Sequence, residues 1–121
     1  MGAIALGLCC CMFIQGCAIV GNLHKDAEVM RQDLLKFTPI GSTMADVEAK
    51  LKGKRLEECD TYQHGFHRLN GEVVGVKSIA GRLGAYWNRD RETATIVMAY
   101  WGFDADGKLI DVWVWKAVEG L

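Results

Sequence analysis

Every lysine, arginine, aspartate and glutamate of this chain lies after position 24. Charged side chains are almost never fully buried unless paired, so they belong to the surface of a folded body. The charge-free leading stretch is therefore a different kind of segment from the rest of the chain. Residues 25–121 are long enough for one hydrophobic core and too short for two. The 14 basic and 15 acidic side chains nearly cancel, for a formal net charge of −1. No basic block stands out, so no nucleic-acid partner is expected. Of the five cysteines, Cys9, Cys10, Cys11 and Cys17 precede the charged body and only Cys59 lies within it. A lone body cysteine cannot close an internal disulfide, so stability has to come from core packing.

Ala3 to Val20 contains one strongly polar side chain, Gln15. The stretch ends in Ile14-Gln15-Gly16-Cys17. An aliphatic residue, a small residue directly before a cysteine, and an apolar run ahead of both resemble the lipobox of bacterial lipoproteins. The resemblance implies that residues 1–16 are a signal peptide, that Cys17 is the lipidated N-terminus, and that residues 17–24 are a lipid-anchored linker ahead of a single domain at 25–121. Ala18 rather than Asp after the cysteine resembles the outer-membrane sorting pattern. The expected location is thus the periplasmic face of the bacterial outer membrane, with the lipid anchor as the membrane contact. Two other readings stay open. Met1 to Leu23 is uncharged and reaches the ~20 residues that cross a bilayer, as an uncleaved anchor helix would. N-myristoylation at Gly2 would want Ser or Thr at position 6, where this chain has Leu6.

Within the body, Ala27, Met30, Leu34 and Phe37 form an apolar stripe at helical spacing, with Asn22 as a possible cap and Pro39 as the stop. Thr43 and Asp46 have capping-box spacing, and Met44, Val47 and Leu51 form the stripe of a second helix ending near Gly53. From Lys54 to Gly84 the pattern is weak and punctuated by glycine. Val73 to Ile79 is the best strand candidate there. Ala85 to Asn88, Thr93 to Phe103 and Lys108 to Ala117 read as strands. Asp104-Ala105-Asp106-Gly107 suits a type I turn closed by a glycine bulge, pairing Asp104 with Lys108. A regular ladder from that turn sets Tyr100 opposite Val112 and Met98 opposite Val114. One face then carries Ile96, Met98, Tyr100, Ile110, Val112 and Val114. The other carries Val97, Trp101, Phe103, Leu109, Asp111, Trp113 and Trp115. The expected fold is α+β: two N-terminal helices packed on one face of an antiparallel sheet of three or more strands.

The two helices joined by Pro39-Ile40-Gly41-Ser42-Thr43, with a closing strand pair around Phe103-Asp104-Ala105-Asp106-Gly107, resemble the SmpA/OmlA (BamE-like) outer-membrane lipoproteins. The matching positions are Gly41, Thr43, Val47, Leu51, Phe103, Asp106 and Gly107. The proline that this family carries after the second helix is absent from Gly53-Lys54-Arg55. The resemblance implies an α-α-β-β-β layout and a role in outer-membrane assembly or maintenance.

Cys59, His64 and His67 have spacing that could converge on zinc, with Asp60 nearby. Three ligands without a fourth or a visible supporting shell argue against a metal site. Cys59 with His64 as base would make a nucleophile, yet no orienting group or oxyanion-hole signature accompanies them. Asp104-x-Asp106-Gly107 resembles part of a calcium loop, but the twelfth position is Trp115 rather than Glu. No metal, cofactor, small-molecule substrate or catalytic residue is therefore expected. Three of the four tryptophans share one predicted face. If the helices cover the aliphatic face, Trp101, Phe103, Trp113 and Trp115 are left to bind a partner, an envelope protein. The rival functions are a small Cys/His-dependent hydrolase or metal-binding enzyme, and an inhibitor or immunity-type binding protein.

Overall fold

A computed structural model describes residues 19–54, 56 and 58–120. The proposed signal peptide and Cys17 lie outside the described residues. Helix α1 spans Ala27–Phe37 and helix α2 spans Met44–Gly53. The predicted stripes are the buried ones: Met30 and Leu34 on α1, Val47 and Leu51 on α2. The α1 cap is Asp26 rather than Asn22, whose side chain instead accepts from the His24 amide one turn earlier. The C-terminal end closes on Thr38, whose amide and Oγ1 both donate to the Leu34 carbonyl. In α2, Thr43 Oγ1 accepts from the Asp46 amide at 3.2 Å, as its spacing suggested.

Six strands complete the chain: β1 Cys59–Tyr62, β2 Phe66–His67, β3 Val73–Val74, β4 Lys77–Trp87, β5 Thr93–Phe103 and β6 Leu109–Gly120. A four-stranded antiparallel sheet has the order β1-β4-β5-β6, and β2-β3 form a separate small hairpin. The fold is α+β, with both helices ahead of the sheet. The link between the helices is stitched to the β5–β6 turn. The Gly41 amide donates to the Leu109 carbonyl, Leu109 N–H to Ser42, and Met44 N–H to Gly107. Inside that turn the Asp104 carboxylate accepts from the Asp106 and Lys108 amides, and Gly107 sits at φ 76 as the bulge requires.

Two expectations need correction. Strand β4 is one continuous element where the sequence suggested separate strands at Val73–Ile79 and Ala85–Asn88. Its internal glycines make room for neighbours rather than breaking the chain: a Cβ on Gly81 would lie 2.9 Å from Leu56 Cδ1, and one on Gly84 would lie 2.7 Å from Leu23 Cδ1. The second correction is the phase of β6. Phe103 pairs with Leu109 as expected, but Gly102 pairs with Asp111, which leaves Ile110 as an extra residue. Two residues opposing one is a β-bulge, and it moves every later side chain of β6 to the other face. Tyr100 therefore opposes Trp113, Met98 opposes Trp115, and Trp101 opposes Val112.

The face under the helices holds Ile79, Val97, Ala99, Trp101, Phe103, Val112 and Val114, all in one buried cluster with Met30, Leu34, Val47 and Leu51. Val20 belongs to the same cluster, and Ile19 and Leu23 pack against it. The chain is thus already part of the folded body from residue 19, where the sequence suggested a linker through position 24.

Candidate functional site: the outer face of the sheet

The bulge separates the four aromatic residues expected to bind together. Trp101 and Phe103 have no exposed surface and lie in the core. They are corrected from candidate partner contacts to core residues. Trp113 and Trp115 are half-buried on the opposite face, alongside Tyr100 and Met98. The Trp113 and Trp115 rings stack at 5.8 Å, and Trp113 stacks on Tyr100 at 5.4 Å and on Phe66 at 6.1 Å. Offset aromatic contacts of this kind make a stiff apolar strip.

Cross-strand register explains the surroundings of the strip. One row runs Tyr62, Ser78, Gly102, Asp111, and the next runs Asp60, Ala80, Tyr100, Trp113. Small residues on β4 and at Gly102 leave a depression between large ones. The β2–β3 hairpin folds over one end of it. A Cβ on Gly102 would lie 2.9 Å from Phe66 Cε2 and 2.9 Å from Val74 Cγ1, so only glycine admits the hairpin there. The return into β4 is equally close: Gly75 has φ 79, and its added Cβ would lie 2.6 Å from the Phe103 carbonyl oxygen. Ser78 Oγ donates to the His64 carbonyl at 2.8 Å and fixes the loop between β1 and β2.

A cleft of about 330 Å³ stays open between the hairpin and β1. Glu58, Asp60, Tyr62, His64, Phe66 and Tyr100 are among its lining residues. Burial, and then the neighbouring Tyr62, hold the Tyr100 hydroxyl above its ordinary pKa, so it stays a neutral donor. The cleft and the aromatic strip share Phe66 and Tyr100.

Asp111 anchors this arrangement. Arg31 of α1 donates from Nη2 to Oδ1 at 2.6 Å and from Nε to the Val112 carbonyl at 2.9 Å. Arg68, just after β2, donates from Nη2 to the other carboxylate oxygen, and its guanidinium lies 5.7 Å from the centre of the Phe66 ring. One carboxylate thus ties the helical layer to the outer hairpin. Partial burial pushes the Asp111 carboxyl up, but hydrogen bonds from Arg31, the Val112 amide and Arg68 outweigh it and hold the pKa below the usual range.

Cys59, His64 and His67 are not assembled into one site. His64 and His67 line the cleft, whereas Cys59 is not among its lining residues. It pairs with Gly81 on the alternation that faces the helices. Desolvation, followed by the carboxylates of Asp60 and Glu48, raises the Cys59 pKa, which keeps the thiol protonated and poorly nucleophilic. Among the described residues no group of three His, Cys, Asp or Glu side chains could hold a metal ion.

The sequence reading missed Tyr62, Phe66, Arg68 and the depression itself. Their signal was present only as small residues at Ser78, Ala80 and Gly102 opposite aromatic ones, and that pattern has meaning only once register is known. Comparison with protein-family models, curated proteins and solved structures gave no match to this chain.

Proposed function

We propose that this chain is a non-enzymatic lipoprotein of the bacterial envelope, anchored through Cys17 at the periplasmic face of the outer membrane, and that it binds another envelope protein through its outer sheet face. The observation that carries the binding part is the stacked Trp113–Trp115 pair, half-exposed on the face away from the helices and backed by the buried Phe66 ring. Aromatic side chains that keep partial exposure in a stiff array supply binding area at low entropic cost. The BamE-like resemblance adds outer-membrane assembly or maintenance as the setting.

Only Ala18 separates Cys17 from Ile19, so two peptide units of about 7 Å join the lipidated residue to the packed body. Further along the chain, Leu23 lies beside Gly84 and the His24 ring is 4.0 Å from that of Tyr86. Trp87, 61% exposed, ends β4. From Trp87 back to Ala80, in the row of Tyr100 and Trp113, β4 runs about 23 Å at the extended rise of a strand.

The anchor and the binding face are tested separately. Cys17→Ser should abolish fatty-acid labelling and release the protein from the membrane fraction; intact-mass data showing Met1 on the mature wild-type chain would reject the anchor. Trp115→Ala should weaken the partner contact by about 2 kcal/mol or more, as truncation of an aromatic hot spot does. Photo-cross-linking from position 117, two residues along the same face of β6, identifies the partner in cells with Trp115 intact. Recovery of the body with no cross-linked protein at that position, while surface controls behave alike, would reject the binding face.

A further inference from the structure

We infer that the cleft beside the aromatic strip receives a cationic side chain, lysine or arginine, from the bound protein; this rests on the protein-binding reading above. The lining holds two carboxylates beside His64 and His67. Glu58 and Asp60 contribute carboxylates, and neither lysine nor arginine is among the lining residues. Tyr62, Phe66 and Tyr100 line the same space, with Phe66 and Tyr100 centred 5.9 Å apart and Tyr62 5.3 Å from the His64 ring. Phe66 is already engaged by Arg68 and Trp113, which makes Tyr62 and Tyr100 the rings that would meet a new cation. A cation is attracted to the negative face of an aromatic ring, and more strongly where carboxylates share the site.

The molecule already uses this chemistry, as where Lys50 lies over Phe37 and pairs with Asp46, and again beside the cleft. Arg68 lies over Phe66 at 5.7 Å while its Nη2 pairs with Asp111. The cleft repeats the combination of ring and carboxylate next to it, open to the outside. Its volume of about 330 Å³ is at the small end of ligand sites, which suits one long side chain better than a whole cofactor. Because the cleft shares Phe66 and Tyr100 with the strip, a segment lying along Trp113 and Trp115 could place one residue in it. The stem of a lysine or arginine would pack on Met98 and the rings while the head reached Asp60 or Glu58.

The probe is Nα-acetyl-lysine methylamide, compared with its uncharged isostere Nα-acetyl-norleucine methylamide, titrated into the full chain in detergent. Ring resonances of Tyr62, Phe66 and Tyr100 report binding. The lysine probe should shift these resonances and bind at least fivefold more tightly than the norleucine probe. Glu58→Gln combined with Asp60→Asn should remove at least fivefold of that affinity with the melting temperature unchanged. Equal binding of the two probes, binding of neither, or an unchanged affinity in the double variant overturns the inference. The cross-link from position 117 separates this from the broader reading. A cross-link retained at wild-type yield in the double variant leaves the binding face standing and overturns the cationic contact. Absence of any cross-link in the wild-type chain removes both.

Discussion

Trp101→Ala is expected to cost about 3–5 kcal/mol of folding stability, as truncating a fully buried tryptophan does. The side chain has no exposed surface and sits among Val97, Ala99 and Val112 under the helices. Its ring packs so closely that an added Cβ on Gly81 would lie 3.4 Å from Cζ3. The cavity left by alanine therefore cannot be filled by β4 without moving the strand. Nε1 also donates to Thr38 Oγ1 at 3.1 Å, and that hydroxyl donates on to the Leu34 carbonyl at 2.8 Å. Trp101→Phe keeps most of the volume and loses the Nε1 bond, so it should cost roughly 1–2 kcal/mol. A domain of this size has a total stability on the order of 5–15 kcal/mol, so the alanine variant should be marginal in urea. Trp115→Ala in the same denaturation series should lose much less. Equal losses at the two positions would mean that the faces of β5 and β6 have been assigned wrongly.

The contrast between those two tryptophans marks where sequence reasoning reached its limit. Period 3.6 is a local signal, and Met30, Leu34, Val47 and Leu51 all lie where their stripes put them. The β5–β6 turn is local too: Asp104 and Gly107 carry their own reasons for being there. Alternation within each strand was also legible, since Trp101 and Tyr100 do face opposite ways. The relative phase of two strands is not local. It was changed by one extra residue, Ile110, just past Leu109, whose backbone is bonded to Gly41 and Ser42 of the helix link. No property of Ile110 itself announces that, and the contact beside the bulge is made with residues some seventy positions away. Gly81 and Gly84 mislead for the same reason. Each is small on behalf of a distant side chain, Leu56 and Trp101 for one and Leu23 for the other. The outer cleft depends on these phases and on the β2–β3 hairpin, so it was not legible, whereas the fold class was.

Asp111→Ala is expected to cost about 2–3 kcal/mol at neutral pH, because it removes the carboxylate shared by two partly buried guanidinium groups and leaves them only the more exposed Glu28, on Arg31, and Glu72, on Arg68. Arg31 and Arg68 are each 26% exposed at the side chain, and Asp111 is 22% exposed, so water compensates only in part. The cost should fall with pH in a defined way. The folded-state pKa of Asp111 is lowered from the ordinary value of 3.8. A depressed carboxyl stabilises the fold fully above its unfolded pKa and loses that contribution as pH falls through the folded one. The difference in stability between wild type and Asp111→Ala should therefore be constant above about pH 5 and should shrink from about pH 4 downward, near the unfolded value. Glu28 and Asp90 are also lowered, by bonds to Gln32 and to the amides of Glu92 and Thr93 respectively. Taking the difference between the two proteins removes Asp90, which has no contact with the Asp111 pair, while Glu28 shares Arg31 and has to be checked with Glu28→Gln. Urea melts at pH 7 and pH 3 measure the effect, and a cost that is equal at both would show that the clamp is not ionic. The same substitution has a second readout. Without Asp111 the hairpin loses the ionic tie of Arg68 to β6, and the ring contacts of Tyr100 and Trp113 with Phe66 should loosen. Near-ultraviolet circular dichroism should report that loosening at neutral pH while the far-ultraviolet signal of the helices and the four-stranded sheet stays in place.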